Sequence, residues 1–169
     1  MLYKRLASLL ALLSILAVAG SVFASGHTGA RIQINNGSIS VTGTETPSIV
    51  VQIGNQGQKT LDDIGVACGW NQIIRGVNET QDGPFGDAVF IPASQSVFDG
   101  LTVFAWDEAV DIPVGQNHNV AFKIRFALPS SSFKGKAGDL RCFLTHGPAS
   151  EADASDIIAR SSTVPVNIH

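Results

Sequence analysis

The sequence predicts an all-β fold, an antiparallel immunoglobulin-like β-sandwich of about eight or nine strands with one inter-strand disulfide. Three observations carry this. Apolar residues recur at every second position in several short runs, the period of a strand with one face turned inward. Clusters of Gly, Pro, Asn and Asp separate those runs. The two cysteines, Cys68 and Cys142, each fall on the apolar face of such a run, on distant strands.

The first two dozen residues read as an address and not as part of the fold. Lys4 and Arg5 precede an apolar run from Leu6 to Gly20, and Val22-Phe23-Ala24 is a small-x-small cleavage motif. That combination predicts a secretory signal peptide over residues 1–24, cleaved after Ala24. The apolar run of about 15 residues falls short of the ~20 that span a bilayer. Residues 25–169 are then one domain, long enough for a sizeable core. Of 11 Lys and Arg, two leave with the signal, so the mature chain carries a net charge near −5 against 14 acidic residues. An acidic domain with scattered cations has no electrostatic footprint for nucleic acid. No second apolar stretch has spanning length, so the mature chain is not expected to be transmembrane, and its localisation is expected to be secreted or cell-surface.

An even cysteine count in an exported chain favours a disulfide, and two cysteines allow one pairing, Cys68–Cys142. Free thiols and a metal site are the alternatives. The closed loop of about 74 residues makes the bond worth roughly 4 kcal/mol in the chain-entropy model.

In chain order, Ser25 to Gly29 is small and polar. Ala30 to Ile34 and Ser38 to Val41 follow as strands, with Asn35-Asn36-Gly37 as a turn or bulge between them. Pro47 to Trp70 reads as a hairpin. Ile49, Val51 and Ile53 share one face of its first strand, and Ile64, Val66, Cys68 and Trp70 share one face of its second; Asn55-Gln56-Gly57 supplies the turn. Residues 71–100 form a long Gly- and Pro-rich excursion with one or two short strands, Ala88 to Ile91 among them. Leu101 to Trp106 and Val110 to Val114 are short strands around an acidic corner. Val120 to Leu128 alternates most cleanly, with Phe122, Ile124 and Phe126 on one face and Lys123 and Arg125 on the other. Ala137 to His146 repeats the pattern around Cys142. Pro148 to Asp156 has the composition of a helical turn. Ile157 to Ile168 closes the domain, and Pro165 argues that the end of this strand lies at a sheet edge.

VVQIGNQGQKTLDDIGVAC resembles the strand, Asn-x-Gly turn, strand opening of CARDB-type modules, cell-adhesion-related sandwiches of prokaryotic surface proteins. IPVGQNHNVAFKIRFALP resembles their P-G-x-x-x-x-V-x-F-x-I-x-x-P segment, with Val114-Gly115 where Pro-Gly is usual, and Gly138 to Leu144 would be the strand that follows. The resemblance covers roughly Ser48 to Leu144. It implies a structural or adhesive module with no catalytic residues to transfer.

Several residue sets suggest chemistry. Cys142-x3-His146, with His118 upstream, has the spacing of a cupredoxin copper site, although no Met follows and Cys68 would need its own explanation. Asn78, Thr80, Asp82 and Gly83 match the start of an oxygen-ligand calcium loop whose twelfth position is Val89 instead of Glu. The corner Asp107, Glu108 and Asp111 is a second cation candidate. Asn36-Gly37-Ser38 and Asn78-Glu79-Thr80 are glycosylation sequons in expected turns. No nucleophile elbow occurs, so the residues give no hydrolase reading.

These observations lead to the expectation of a non-enzymatic, exported structural protein without cofactor: a self-associating surface or extracellular filament or matrix subunit. Its partners would be itself or other surface proteins. Ala30, Ile32 and Ile34 are the candidate strand for donation to a neighbouring copy. The alternative is a carbohydrate- or ligand-binding adhesive module using Trp70, Phe85, Phe90, Phe98, Phe104 and Trp106 to stack on glycans.

Overall fold

The computed structural model describes residues 29–70, 77–82, 84–126 and 135–169. The signal-peptide segment lies outside them. The described chain forms β1 (Ala30–Ile34), β2 (Ile39–Val41), β3 (Ile49–Asn55), β4 (Leu61–Trp70), β5 (Val77–Asp82), β6 (Ala88–Ile91), β7 (Thr102–Trp106), β8 (Val110–Ile112), β9 (Asn117–Phe126), β10 (Gly135–His146), β11 (Ile157–Arg160) and β12 (Val164–Ile168).

These strands make two sheets. The smaller runs β1-β3-β9-β5; the larger runs β2-β12-β10-β4-β7-β6, with β11 added to β10 and β8 to β4. Every pairing is antiparallel except that of β2 with β12. The inward positions of the period-2 runs fill one core: Ile32 and Ile34, Ile49, Val51 and Ile53, Val66, Cys68, Val120, Phe122, Ile124, Leu140, Cys142 and Leu144. On β9 the buried Val120, Phe122 and Ile124 alternate with half-buried Ala121 and exposed Lys123. The sandwich expected from the alternation is the sandwich observed.

The described strands number twelve, more than the eight or nine expected, and the run from Ile157 to Ile168 is divided into β11 and β12. β1 joins the smaller sheet and β2 the larger, so the first strand of the domain changes sheets at Asn35–Ser38. Asn36 holds that corner: its Nδ2 donates to the Ser48 carbonyl at 3.4 Å, and its Oδ1 accepts from the Val50 amide at 3.2 Å. Thr46 pins the next connection, donating through its amide to the Ile124 carbonyl and accepting from the Ile124 amide at 2.9 Å.

The turn between β3 and β4 is built on Asn55. Its side chain is buried, donates to the carbonyls of Lys59 and Ile112 at 2.8 Å each, and accepts from the Gly57 amide at 2.9 Å. It therefore closes its own turn and ties that turn to the end of β8.

The cysteines pair as expected, but not across the core. Cys68 and Cys142 stand opposite each other on the neighbours β4 and β10, so the bond lies within the larger sheet. Alternation shows that a cysteine points inward; it does not show which strands become neighbours. An immunoglobulin domain, in contrast, joins its two sheets with this bond.

Two smaller expectations are corrected. Pro148 to Asp156 makes successive turns, Glu151 to Pro148 and Asp156 to Asp153, and no helix. β12 is an interior strand over Val166–Ile168, flanked by β10 and β2. Pro165 is accommodated because it lies at the irregularity between Lys136 and Asp139 on β10, just before β2 begins to pair.

A third layer lies outside the larger sheet. The outward residues Ala67, Val103, Ala105 and Phe143 are covered by Phe98 from the excursion and Ala149 from the turn after β10. Gly65 makes this approach feasible. A Cβ there would stand 2.7 Å from the Ala149 amide nitrogen and inside the Gly147 carbonyl oxygen. Asp99, in the left-handed region at φ 53°, turns the excursion back toward the sheet. Its carboxylate meets Arg141 at 3.2 Å and Arg160 at 3.4 Å, and Arg160 also lies over the Phe143 ring.

Candidate functional site at the open edge of the larger sheet

β6 is the last strand of the larger sheet and is short, apolar and bracketed by Asp87 and Pro92. It pairs with β7 through Ala88↔Trp106, Val89↔Ala105, Phe90↔Phe104 and Ile91↔Val103. Pairing stops at Pro92, whose carbonyl accepts from the Gln95 amide as the chain turns away.

The direction of its backbone groups follows from Asp87. The Asp87 carbonyl accepts from the Asp107 amide at 3.0 Å, and the Asp87 amide donates to the Asp107 carboxylate at 2.6 Å. Both polar groups of residue 87 thus turn toward β7, and in an antiparallel ladder every second residue repeats the choice. Val89 therefore turns its N–H and C=O inward to β7, while Ala88 and Phe90 turn theirs to the open edge.

The side chains add apolar surface on both faces. Val89 is 43% exposed and Phe90 50% exposed, two of three large hydrophobic residues exposed among the described residues. Phe90 faces the inter-sheet side, with its ring 5.9 Å from Phe104, which lies 5.5 Å from Trp70. A row of rings thus runs from the buried Trp70 out to solvent at Phe90. At the other end of β6, Asp87, Asp107 and Glu108 are exposed side by side. Protein sheets usually protect such an edge with lysine, a bulge or a covering segment. Here the strand's shortness, Asp87 and Pro92 are what limit pairing.

The other candidate residues are placed as follows. Trp70, Phe85, Phe98, Phe104 and Trp106 are buried, so of the proposed sugar-stacking rings only Phe90 is on the surface. The Cys142 sulfur is bonded to Cys68 and is no thiolate ligand, which removes the copper constellation; His118 lies on β9, across the core from His146 on β10. Asn78, Thr80 and Asp82 sit on the extended strand β5, paired to β9, and not on a calcium loop; Gly83 lies outside the described residues. The sequon at Asn78 is accordingly on a strand, and that at Asn36 is on the corner between β1 and β2. Asp111 accepts from the amide of Asp63 at 2.9 Å, fixing the irregularity in β4 where Asp63 has φ 59°. Among the described residues no three His, Cys, Asp or Glu side chains gather as a metal site. No helix there is long and apolar enough to cross a membrane.

Ala30, Ile32 and Ile34 are buried in this domain's own core, and β1 pairs with β3 over its whole length. The strand expected to be donated to a neighbour is used at home.

No family model matches the chain, and no curated protein matches it. Among solved structures it is similar to one described as AvmM, which catalyses macrocyclization in alchivemycin A biosynthesis. The identity is 13%, the alignment covers 88% of this chain and 96% of that one, and the TM-score is 0.49. The expectation of a non-enzymatic filament or matrix subunit gains nothing from this likeness and is withdrawn, since β1, the strand it assigned to a neighbouring copy, is paired with β3 and buried in this domain's own core. A likeness at this level gives no ground for assigning AvmM's activity here either.

The sequence pattern placed a strand at Ala88–Ile91 but did not mark it as the site. Its exposure depends on its being last in the sheet, which is decided by pairing with β7 and not by its own residues.

Proposed function

We propose that this chain is an exported binding domain that recognises a partner protein by accepting an extended segment along β6. The observation that carries this is the pair of exposed side chains, Val89 and Phe90, on an edge strand whose Ala88 and Phe90 backbone groups are directed outward. Strand addition uses this combination: main-chain bonds give affinity and alternate side chains give specificity. Export is supported by the basic, apolar and small-x-small N-terminal segment together with the disulfide.

The test is selection of binders from a displayed random-peptide library. Selected peptides are expected to lose binding to Ala88→Pro, which removes one outward N–H and leaves Val89 and Phe90 in place. Peptides that bind the variant as well as the parent, or a library that yields none, overturn the reading.

A further inference from the structure

We infer that the segment received by β6 is antiparallel to it and carries an apolar residue opposite Phe90 and a basic residue three positions later. This rests on the strand-addition reading above and specifies the partner's chemistry. Directly opposed residues of neighbouring strands share a face. On the inner face the row already runs Cys142–Cys68–Phe104–Phe90 across β10, β4, β7 and β6. A residue opposite Phe90 continues that row at its exposed end, and an aromatic or branched side chain there covers the half of the Phe90 ring that solvent now meets.

The register fixes the rest. Let the residue opposite Phe90 be the first of four. The second then lies opposite Val89 on the outer face, and an apolar side chain there covers it. The third lies opposite Ala88, beside the buried Trp106, where little depth remains and a small residue fits. The first and third exchange main-chain bonds with Phe90 and Ala88, so neither can be proline. The fourth lies opposite Asp87, on the outer face, beside Asp107, with Glu108 exposed next in the chain and near Gly86. Three carboxylates at that end favour lysine or arginine and disfavour an acid.

A second copy of this chain does not meet these requirements. With Phe90 opposite Phe90, the third position is Pro92, which has no N–H to give Ala88. With Phe90 opposite Ala88, the fourth position is Ile91 and brings no positive charge.

The experiment uses the full chain and two capped heptapeptides of sequence Thr-Thr-Phe-Val-Thr-Lys-Thr and Thr-Thr-Phe-Val-Thr-Glu-Thr. Affinity is read by fluorescence anisotropy, and contact is mapped by protection of the Ala88 and Phe90 amides from hydrogen exchange. The lysine peptide is expected to bind at least roughly fivefold tighter at low salt, with the gap closing at 1 M salt. Both peptides are expected to lose binding to Ala88→Pro and Phe90→Ser, two variants at an edge that the domain's own ladder does not use. Equal affinity of the two peptides overturns the charge inference and leaves strand addition standing. Binding of neither peptide, or undiminished binding to Ala88→Pro, overturns both.

Discussion

Cys142 faces Cys68 across the β4–β10 ladder with Cα atoms 4.0 Å apart, and it sends its own backbone bonds the other way, to Ser161. The Cys142 amide donates to Ser161 Oγ at 2.9 Å, and its carbonyl accepts from the Ser161 amide at 2.8 Å. The cysteines are thus a non-hydrogen-bonded pair, the class in which opposed side chains approach most closely. The disulfide supplies at this position a link that the ladder does not make.

Removing that link with the double variant Cys68→Ala and Cys142→Ala is expected to lower stability by up to about 4 kcal/mol, read from urea unfolding. Both cysteines are fully buried. Reductant in native buffer is therefore expected to release no thiol to a labelling reagent until denaturant is added.

Asn55→Ala is expected to cost about 1–3 kcal/mol, because it strands the buried carbonyl of Ile112, unpairs the part-buried carbonyl of Lys59 and frees the Gly57 amide. Asn55→Asp replaces the double donor by an acceptor facing the same two carbonyls. At neutral pH it is expected to destabilise more than the alanine. Equal denaturant midpoints for the two variants would contradict this account.

The outer layer gives a third expectation. Phe98→Ala, which removes a fully buried ring from against Phe143, is expected to cost about 3–5 kcal/mol. Asp99→Ala removes partly exposed ion pairs to Arg141 and Arg160 and is expected to cost about 1 kcal/mol or less globally. Faster hydrogen exchange at Leu101, whose amide bonds to the Phe98 carbonyl, would report its local effect.

Asp153 provides a pH expectation. A hydrogen bond from the Ser155 hydroxyl, aided by one from the Ser155 amide, holds its carboxyl below its ordinary value. A carboxyl depressed in the folded state favours folding above the unfolded-chain pKa, and that contribution fades as pH falls through the folded value. The site is fully exposed, so the effect belongs to the turn more than to the domain. An NMR titration of Asp153 is expected to move upward in Ser155→Ala.

The strands were readable because each carries its evidence locally. Val120, Phe122 and Ile124 alternate with Ala121 and Lys123, and a helix would scatter those apolar residues around its circumference. The disulfide was readable from cysteine count, but its place within one sheet was not, since neighbourhood is set by the whole order of strands. The third layer was missed for a related reason. Gly65, Ala67 and Gly69 look like the plain outer face of a strand, and they are small because segments 30 and 80 residues away lie on them. The β6 edge is the least local feature: Phe90 reads as a core ring unless one knows that no described strand pairs beyond it.

The division of the first strand between sheets has a mechanical consequence. β2 runs parallel to β12 over Val166↔Ile39, Asn167↔Ser40 and Ile168↔Val41, so the second strand of the domain is bonded beside its last. Tension applied between the two ends of the domain meets these bonds lengthwise and loads them together, where a pull across the sheet would open them one after another. A domain held between two anchors would resist extension at this three-residue patch after the β1–β3 ladder, at the end of the larger sheet opposite β6.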